Sequence, residues 1–325
     1  MPWRPSATLE ILKLRAQILA RVRAFFAECG VLEVETPILS SGASTDPYLD
    51  SLSTGYVGPG AAQGRMLYLH TSPEFPMKRL LAAGSGSIYQ LCKVFRDGEA
   101  GRLHNPEFTM LEWYRVGFDH HRLMDEVAAL ITQVLAGRAP GTTEKISYRD
   151  AFQRYCELDP HIADVDAFAD SARRHDVSIP DGMPTDDADP WRDLLLTHVI
   201  EPRLGSAAMT FLYDYPASQA ALAHVRKDNP PVGERFELYI DGIEIANGFH
   251  ELGNADEQRQ RFERDLIRRR AQGLALVPMD AYLLAALQQG LPDCAGVALG
   301  VDRLVMLAAG VKSIDDVLAF PLDKA

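Results

Sequence analysis

The chain has 325 residues, of which 47% are hydrophobic and 24% charged, and its formal net charge is −12. This composition predicts one large core, or one core plus an appendage, and no run of apolar residues approaches the length of about 20 that is needed to span a bilayer. The excess of acidic residues disfavours a large basic surface that would bind RNA. Local clusters of basic residues are still compatible with binding of a small anion.

The first third of the chain predicts helices and strands joined by one long loop. In chain order these are a helix over 8–29 closed by Gly30, a strand over 31–36, a loop over 40–64, a strand over 66–70, and a helix from Glu74 to residue 83.

The rest of the chain predicts further strands that cluster between helices. They are strands 87–96 and 108–115, helix 123–135, a helical insertion at 160–205 with helices 165–175 and 191–204, strands 210–215 and 235–245, helix 257–272, strand 295–299 and helix 302–309. Because strands and helices do not alternate strictly, we expect an α+β fold with a mixed, mainly antiparallel sheet flanked by helices.

The hairpin over residues 94–115 offers contacts for both a nucleotide and an amine. Its second strand alternates, which places four side chains on one face: Phe108, Met110, Glu112 and Tyr114. The loop begins at Arg96, whose guanidinium suits a phosphate, whereas an aromatic ring suits a base and a carboxylate beside a phenol suits an ammonium group. The alternative is a surface loop with an incidental arginine.

A second hairpin is predicted around the two-residue turn Asp241-Gly242. If the residues flanking this turn pair, Tyr239 faces Glu244 and Glu237 lies on the same sheet face. Two carboxylates so placed repel unless a cation lies between them, which indicates a Mg²⁺ ion on triphosphate oxygens. The alternative is a solvated face with scattered acids.

The residues after this hairpin lie on the same sheet face as Glu244 only if the strand contains a bulge. Strict alternation puts Asn247, Phe249 and Glu251 on the face opposite Glu244, and Gly248 is the expected place for a bulge that would realign them.

Residues 296–303 predict a strand that breaks into a helix at Gly300. The glycine lets a ligand approach the backbone, and Arg303 in the first helical turn can meet an anion. Ordinary packing of a helix on a strand explains the pattern equally well.

The cysteines and histidines predict no metal centre. The four cysteines are widely spaced and are typical of reduced thiols in a cytoplasmic protein. The nine histidines show no HExxH spacing, and His120-His121 predicts a solvated helix start.

Together these segments resemble the catalytic domain of class II aminoacyl-tRNA synthetases of the lysine type. The matching stretches are residues 33–37 for motif 1, 95–112 for motif 2 and 296–303 for motif 3, with 105–110 and 244–249 specific to the lysine branch. The motif 1 helix begins near residue 8, so no anticodon-binding domain is expected and the whole of 1–325 is one catalytic domain. Residues 103–114, 216–219 and 292–294 are similar to the stand-alone paralogues that modify translation elongation factor P.

The resemblance implies a role for each matched residue. ATP would be bound by Arg96, Asp97, Gly98, His104, Asn105, Phe108, Glu244, Ile245, Gly300 and Arg303, with Arg96 and Arg303 acting in catalysis. The lysine substrate would be bound by Ser72, Glu74, Glu112, Tyr114, Asn247, Phe249, Glu251 and Ala298. Glu237 and Glu244 would carry Mg²⁺.

Two positions depart from the synthetase pattern. The family loop usually reads Phe-Arg-Asn-Glu, but here Asp97 and Gly98 follow the arginine, so Glu99 or Asp97 is expected to replace the loop acid. Ala298 stands where lysyl-tRNA synthetases have glycine, and its methyl group would crowd an α-ammonium group and suit (R)-β-lysine.

The resemblance therefore implies an ATP- and Mg²⁺-dependent cytoplasmic ligase. It would activate lysine or (R)-β-lysine as an adenylate and transfer it to a lysine side chain of elongation factor P. A homodimer is expected from motif 1, and neither tRNA nor a membrane is an expected partner. Two alternatives stay open, namely a shortened lysyl-tRNA synthetase acting on tRNA and a non-catalytic regulatory paralogue.

Overall fold

The computed structural model describes residues 3–325, whose contacts group them into two compact units. The first unit holds the chain up to Gly117 with residues 253–294 and 298–325, and the second holds residues 118–252 and 295–297. The expectation of a single catalytic domain over 1–325 stays a prediction.

The helices and strands cover most of the described chain. The helices are α1 (Leu9–Glu28), α2 (Glu74–Ala82), α3 (His120–Leu135), α4 (Tyr148–Cys156), α5 (Val165–Arg174), α6 (Asp189–Leu195), α7 (Ala255–Ala271), α8 (Ala281–Gln289) and α9 (Val301–Ala309). The strands are β1 (Leu32–Glu33), β2 (Leu39–Ser40), β3 (Ser53–Gly58), β4 (Ala61–Leu69), β5 (Ile88–Phe95), β6 (Glu107–Val116), β7 (Thr143–Ser147), β8 (Met209–Pro216), β9 (Val225–Arg226), β10 (Val232–Ile240), β11 (Ile243–His250) and β12 (Cys294–Gly300).

The first unit is organised around the antiparallel pair β5–β6, with β1 parallel to β5. Helix α1 starts at Thr8, whose hydroxyl accepts the N–H of Ile11, and it ends before Gly30, which adopts a φ of +66°. The predicted strand over 31–36 is too long, since only two residues of β1 pair with β5. The chain turns away as it approaches Pro37, which has no N–H to continue a ladder.

The prediction of a loop over 40–64 is wrong. Strands β2, β4 and β3 form a three-stranded antiparallel sheet, with β3 and β4 joined at a turn before Ala61. Most side chains of β3 and of the first part of β4 are exposed. A strand without a buried face has no apolar alternation, so the sequence pattern gave no signal for it.

The second unit contains the strand order β11–β10–β8–β7, with β9 also paired to β10. Strand β7 runs parallel to β8 and the other pairs are antiparallel. Its core is rich in aromatic side chains, including Tyr148, Phe152, Phe168, Trp191, Tyr215 and Tyr239. The predicted insertion at 160–205 contributes Phe168 and Trp191 to this core through α5 and α6.

The remaining differences concern boundaries and missed elements. Helix α6 ends at Leu195 and continues as a π-helical turn and a 3₁₀ turn, not as one helix to residue 204. Strand β7 and helices α4 and α8 were not predicted. The predicted fold class, a mixed and mainly antiparallel sheet with helices, is confirmed. Within residues 3–325, no helix is both long and apolar enough to cross a bilayer.

Candidate active site

The β5–β6 hairpin positions most of the predicted site residues of the first unit. The two strands pair without interruption from Ile88 opposite Tyr114 to Phe95 opposite Glu107. The backbone N–H of Arg96 then donates to Pro106 O at 2.9 Å and closes the loop. The regular register places the alternate residues of β6 on one face, as predicted.

A buried carboxylate lies on that face. Glu112 is 2% exposed and accepts hydrogen bonds from Ser72 Oγ at 2.7 Å and from Tyr114 Oη at 2.6 Å. Both donors are neutral hydroxyl groups, so they orient the carboxylate without cancelling its charge. The structure thus brings together three of the residues predicted to bind the substrate amine.

Glu74 starts α2 beside the same group, and its backbone N–H donates to Ser72 Oγ at 3.0 Å. Its side chain forms an ion pair with Lys78 Nζ at 2.6 Å, and Lys78 is 1% exposed. Sequence reasoning missed Lys78 as a site neighbour, although a Glu and a Lys four residues apart on a helix are a known pairing signal. Because Lys78 already compensates its charge, Glu74 is less suited than Glu112 to bind a second cation.

Cys92 lies near this carboxylate and stays a thiol. Burial, and secondarily the charge of Glu112, raises the pKa of Cys92 to about 12. A thiol with such a pKa is neither a nucleophile nor a metal ligand at neutral pH. Of the four cysteines, which the sequence predicts to be reduced and mostly buried, Cys156 and Cys294 are buried, Cys92 is half-buried and Cys29 is exposed. Their reduced state stays a prediction.

Arg96 is oriented by contacts at both ends of its side chain. Its Nε lies 3.5 Å from Thr71 O, and its guanidinium stacks over the Phe108 ring at 5.1 Å from the centroid. Glu99 lies 3.7 Å from Arg96 Nη1 and forms an ion pair with it, and the replacement of the loop acid by Glu99 or Asp97 stays a prediction. Gly98 adopts a φ of +77°, a conformation that favours glycine over the glutamate of the family pattern.

Arg303 and His104 form a second basic contact in the first unit. Arg303 Nη2 lies 2.7 Å from His104 Nε2, and Arg303 Nε lies 3.5 Å from Leu103 O. Burial, together with the charge of Arg303, lowers the pKa of His104, so the imidazole is neutral and accepts this hydrogen bond. Arg303 stands in the first turn of α9, which begins after Gly300.

The position of α9 is fixed by Asp302. Its carboxylate accepts from Thr109 N at 2.6 Å and from Arg15 Nη1 at 2.6 Å. Asp302 is 1% exposed and is another residue that sequence reasoning missed. Asp302 binds a backbone N–H of β6 and a guanidinium, and it therefore holds the start of α9 against β6. This contact also fixes the backbone position of Arg303 in the first turn of α9.

Asn105 is already committed to structural hydrogen bonds. Its Nδ2 donates to Glu107 O at 2.6 Å, and its Oδ1 accepts from Leu322 N at 3.0 Å. The side chain therefore ties the loop to the C-terminal segment. Its predicted contact with adenine stays a prediction, as does that of Asp97, whose backbone N–H donates to Asp50 O.

The β10–β11 hairpin positions the predicted site residues of the second unit. The pairs Ile240–Ile243 and Tyr239–Glu244 are present, which confirms the predicted turn register. The register then shifts, because Leu238 pairs with Ala246 and leaves Ile245 as an extra residue.

The bulge expected at Gly248 therefore lies at Ile245. It places Asn247 opposite Glu237 and Phe249 opposite Arg235, on the same face as Glu244. Gly248 is required for another reason, since an added Cβ would lie 2.5 Å from Phe236 Cζ and 2.9 Å from Val297 Cβ. Ile245 itself is 2% exposed, and its predicted contact with ATP stays a prediction.

Glu237 accepts hydrogen bonds from four donors. Tyr215 Oη and Tyr239 Oη donate to Oε2 at 2.6 and 2.5 Å, whereas Arg235 and Asn247 Nδ2 donate to Oε1. Burial, followed by the charge of Glu237, raises the pKa of both tyrosines well above the usual value. Both tyrosines therefore stay protonated and act as hydrogen-bond donors.

This arrangement does not fit Glu237 as a direct Mg²⁺ ligand. A carboxylate offers about four lone-pair positions, and here four donors fill them. An ion would have to displace one donor, and Arg235 already supplies the compensating charge. Glu244 is half-buried on the same face, and its carboxylate oxygens are the type of ligand that Mg²⁺ prefers.

The remaining predicted residues lie at strand ends. Glu251 is 7% exposed and forms an isolated bridge with Ala223 just after β11. Ala298 is half-buried in β12. Their predicted contacts with the substrate stay predictions.

Comparison with known proteins gives full-length matches. The model for tRNA synthetases class II (D, K and N) matches residues 1–324. The chain belongs to this class II tRNA synthetase family. The predicted resemblance to class II synthetases is confirmed. Arg96 follows β5 in the β5–β6 hairpin and Arg303 stands in the first turn of α9, and their assignment to motifs 2 and 3 stays a prediction.

Curated relatives within this class II family share a narrower name. The chain is 53% identical over 324 residues to proteins named elongation factor P–(R)-β-lysine ligase from Salmonella paratyphi B, Salmonella enteritidis and Salmonella typhimurium. The alignments cover 99% of this chain and 98% of each relative. The predicted similarity to the paralogues that modify elongation factor P is thereby confirmed.

Proposed function

We propose that this protein activates (R)-β-lysine with ATP and ligates it to a lysine side chain of elongation factor P. The observation that carries the proposal is the 53% identity over 99% of the chain to ligases of that name. The oriented carboxylate Glu112 and the arginines of the first unit support it chemically.

The first step forms an adenylate. The carboxylate oxygen of the amino acid attacks the α-phosphorus of ATP, the bond to the bridging oxygen breaks, and pyrophosphate leaves. Arg96 would stabilise the charge that develops on the α-phosphate, and Arg303 would hold the far end of the triphosphate. Such fixed donors lower the barrier because they need no reorganisation during the reaction.

The second step transfers the acyl group. The ε-amine of the acceptor lysine attacks the acyl carbon, AMP leaves, an amide bond forms and one proton is released. We assign no general base for this amine. No reaction step is assigned to the predicted Mg²⁺, because hydrogen-bond donors of the protein already fill the acceptor positions of Glu237. Glu244 is the carboxylate that would bind the ion.

Recognition of the substrate amine is assigned to the Glu112 group. A buried anion held by Ser72 and Tyr114 binds an ammonium ion in a defined position, and losing one partner of a buried charge pair costs about 2–5 kcal/mol. Cytoplasmic location and a homodimer belong to the same proposal and rest on the family resemblance alone.

The test compares Glu112→Gln with Glu107→Gln in pyrophosphate exchange. Glu107 lies on the same strand but is exposed and makes only a 3.4 Å ion pair with Lys93, so it is a matched control. We expect Glu112→Gln to lower kcat/KM for (R)-β-lysine by ~100-fold, the equivalent of about 3 kcal/mol, with ATP binding retained. The control variant should stay within about twofold of the wild type, as exposed pairs contribute little.

The isomer and the acceptor are tested with the wild-type protein. Exchange with (R)-β-lysine above that with α-lysine, followed by a mass increase on elongation factor P equal to one acyl group, supports the proposal. Stoichiometric charging of tRNA with α-lysine would replace it with a synthetase function. Absence of exchange with every lysine isomer would replace it with a non-catalytic role.

A further inference from the structure

Two histidines and a glutamate from three elements meet in the second unit. His120 is the first residue of α3, Glu234 lies in β10, and His250 is the last residue of β11. One ligand atom of each lies within 4.8 Å of the others. His250 Nδ1 is 2.5 Å from Glu234 Oε2, and Asp214 Oδ1 is 3.4 Å from His120 Nε2. The expectation that His120-His121 is a solvated helix start is therefore wrong for His120.

The environment of His120 is unusual for an imidazole. Its side chain is 2% exposed, and within the described residues neither ring nitrogen meets hydrogen-bond geometry. Leaving a buried polar group without a hydrogen bond is unfavourable. The ring nitrogens of His120 therefore lack a hydrogen-bond partner in the described part of the chain, and an adjacent cation would provide a partner by accepting a nitrogen lone pair.

The surrounding charges favour a cation. Three carboxylates lie in or beside this cluster: Glu234 within it, Asp214 at 3.4 Å from His120 Nε2, and Asp119 next to His120 in the chain. The guanidinium of Arg226 pairs with Asp214 and Glu234. Glu234 Oε2 lies within hydrogen-bond distance of two imidazoles, His224 Nδ1 at 2.9 Å and His250 Nδ1 at 2.5 Å.

We propose that His120, Glu234 and His250 bind a divalent transition-metal ion of the zinc type. Two imidazoles and one carboxylate are a known zinc donor set that leaves a fourth position for water. Asp214 Oδ1 lies 3.4 Å from His120 Nε2. Imidazole ligands select zinc-type ions over Mg²⁺, which prefers oxygen alone. The proton shared by His250 and Glu234 leaves when the ion binds.

The surrounding residues provide both access and support for such an ion. The side chains of His250 and Glu234 are 20% and 11% exposed, so an ion can reach them from solvent. His224 Nδ1 donates to Glu234 Oε2 at 2.9 Å and orients the carboxylate, as outer-shell partners do in metal sites. The ion would join the start of α3 to the β10–β11 hairpin, and thus act as a structural clip.

The experiment measures binding of ZnCl₂ to the full-length protein after treatment with a chelator. Wild type, His250→Asn, Glu234→Gln and the control His198→Asn are compared by calorimetric titration and by thermal melting with and without Zn²⁺. His198 is an exposed histidine of the same unit outside the cluster. Substitution with Co²⁺ then gives an absorption spectrum that shows whether a cysteine thiolate is a ligand.

We expect one Zn²⁺ per chain in the wild type and the control, a higher melting temperature with Zn²⁺, and no thiolate-to-cobalt band. His250→Asn and Glu234→Gln should weaken binding by at least ~10-fold, the loss seen even for outer-shell partners. Their melts without metal show whether they are folded. Equal Zn²⁺ affinity in all four proteins, a thiolate band, or an unchanged melting temperature of the wild type would overturn the proposal.

Discussion

The substitution Glu237→Gln decides between two roles for Glu237. The side chain either binds a metal ion or stabilises the β10–β11 hairpin through its hydrogen bonds. The side chain receives four hydrogen bonds, and the guanidinium of Arg235 compensates its charge. Glutamine keeps the volume but replaces one oxygen by an NH₂ group. That group cannot accept from Tyr215, Tyr239, Arg235 or Asn247, and the cation of Arg235 loses its anionic partner.

The cost follows from the burial of this pair. Breaking a buried ion pair by removing one partner costs about 3–5 kcal/mol. The side chain of Arg235 is 19% exposed, which places the cost near the lower end, at about 3 kcal/mol. For a chain of 325 residues, an unfolding entropy of about 2.1 cal/mol/K per residue makes 1 kcal/mol correspond to about 1.5 °C of melting temperature, so we expect a decrease of about 4–5 °C.

The assay is thermal melting, with Glu144→Gln as the matched control. Glu144 lies in the same unit and pairs with Arg154 at 2.7 Å, but both side chains are partly exposed, so the same substitution should cost at most about 1 kcal/mol. The Mg²⁺ concentration that half-saturates pyrophosphate exchange is measured in parallel and should not change. If Glu237→Gln melts like the control and needs at least ~10-fold more Mg²⁺, Glu237 is a metal ligand and the reasoning from its filled hydrogen-bond positions is refuted.

Two further predictions concern the first unit. With its pKa raised to about 12, Cys92 should resist alkylation by iodoacetamide at pH 8, whereas the exposed Cys29 should be labelled; peptide mass analysis showing equal labelling would contradict this. Because the folded state holds the Cys92 proton that the unfolded chain loses, its contribution to stability should fall as pH rises above about 9. Gly98→Glu, which restores the family acid, should destabilise the loop by about 1–2 kcal/mol because of its φ of +77°, and should not tighten ATP binding. A calorimetric titration in which Gly98→Glu binds ATP more tightly than the wild type would show that Glu99 has not replaced the acid.

The elements that the sequence predicted well are those with a strong local pattern. Helix α1 has an apolar stripe and ends before a glycine, and the β5–β6 hairpin alternates along its second strand. The turn Asp241-Gly242 was predicted with its register because a two-residue loop allows few pairings. The sheet of β2, β3 and β4 was missed because its strands have no buried face to reveal them.

The candidate site was predictable in its residue types and less so in its contacts. Glu112 and Tyr114 lie on one face as the alternation of β6 predicted, and Ser72, which only the family resemblance had named, meets them there. Lys78 and Asp302 were missed because nothing in a linear pattern shows that a charge is buried. The cluster of His120, Glu234 and His250 was missed because its members come from three elements that are far apart in the chain.

The single extra residue in β11 explains why an alternating pattern gave contradictory faces for the acidic hairpin. Without a bulge, the pairing of Tyr239 with Glu244 would put Asn247 and Phe249 on the opposite face of the sheet. The bulge at Ile245 shifts the later pairs by one residue, so that Asn247 donates to Glu237 and both lie on the face of Glu244. The buried side chain of Ile245 anchors this irregularity in the core. The bulge is therefore the structural feature that lets one short strand contribute Glu244, Asn247 and Phe249 to a single surface.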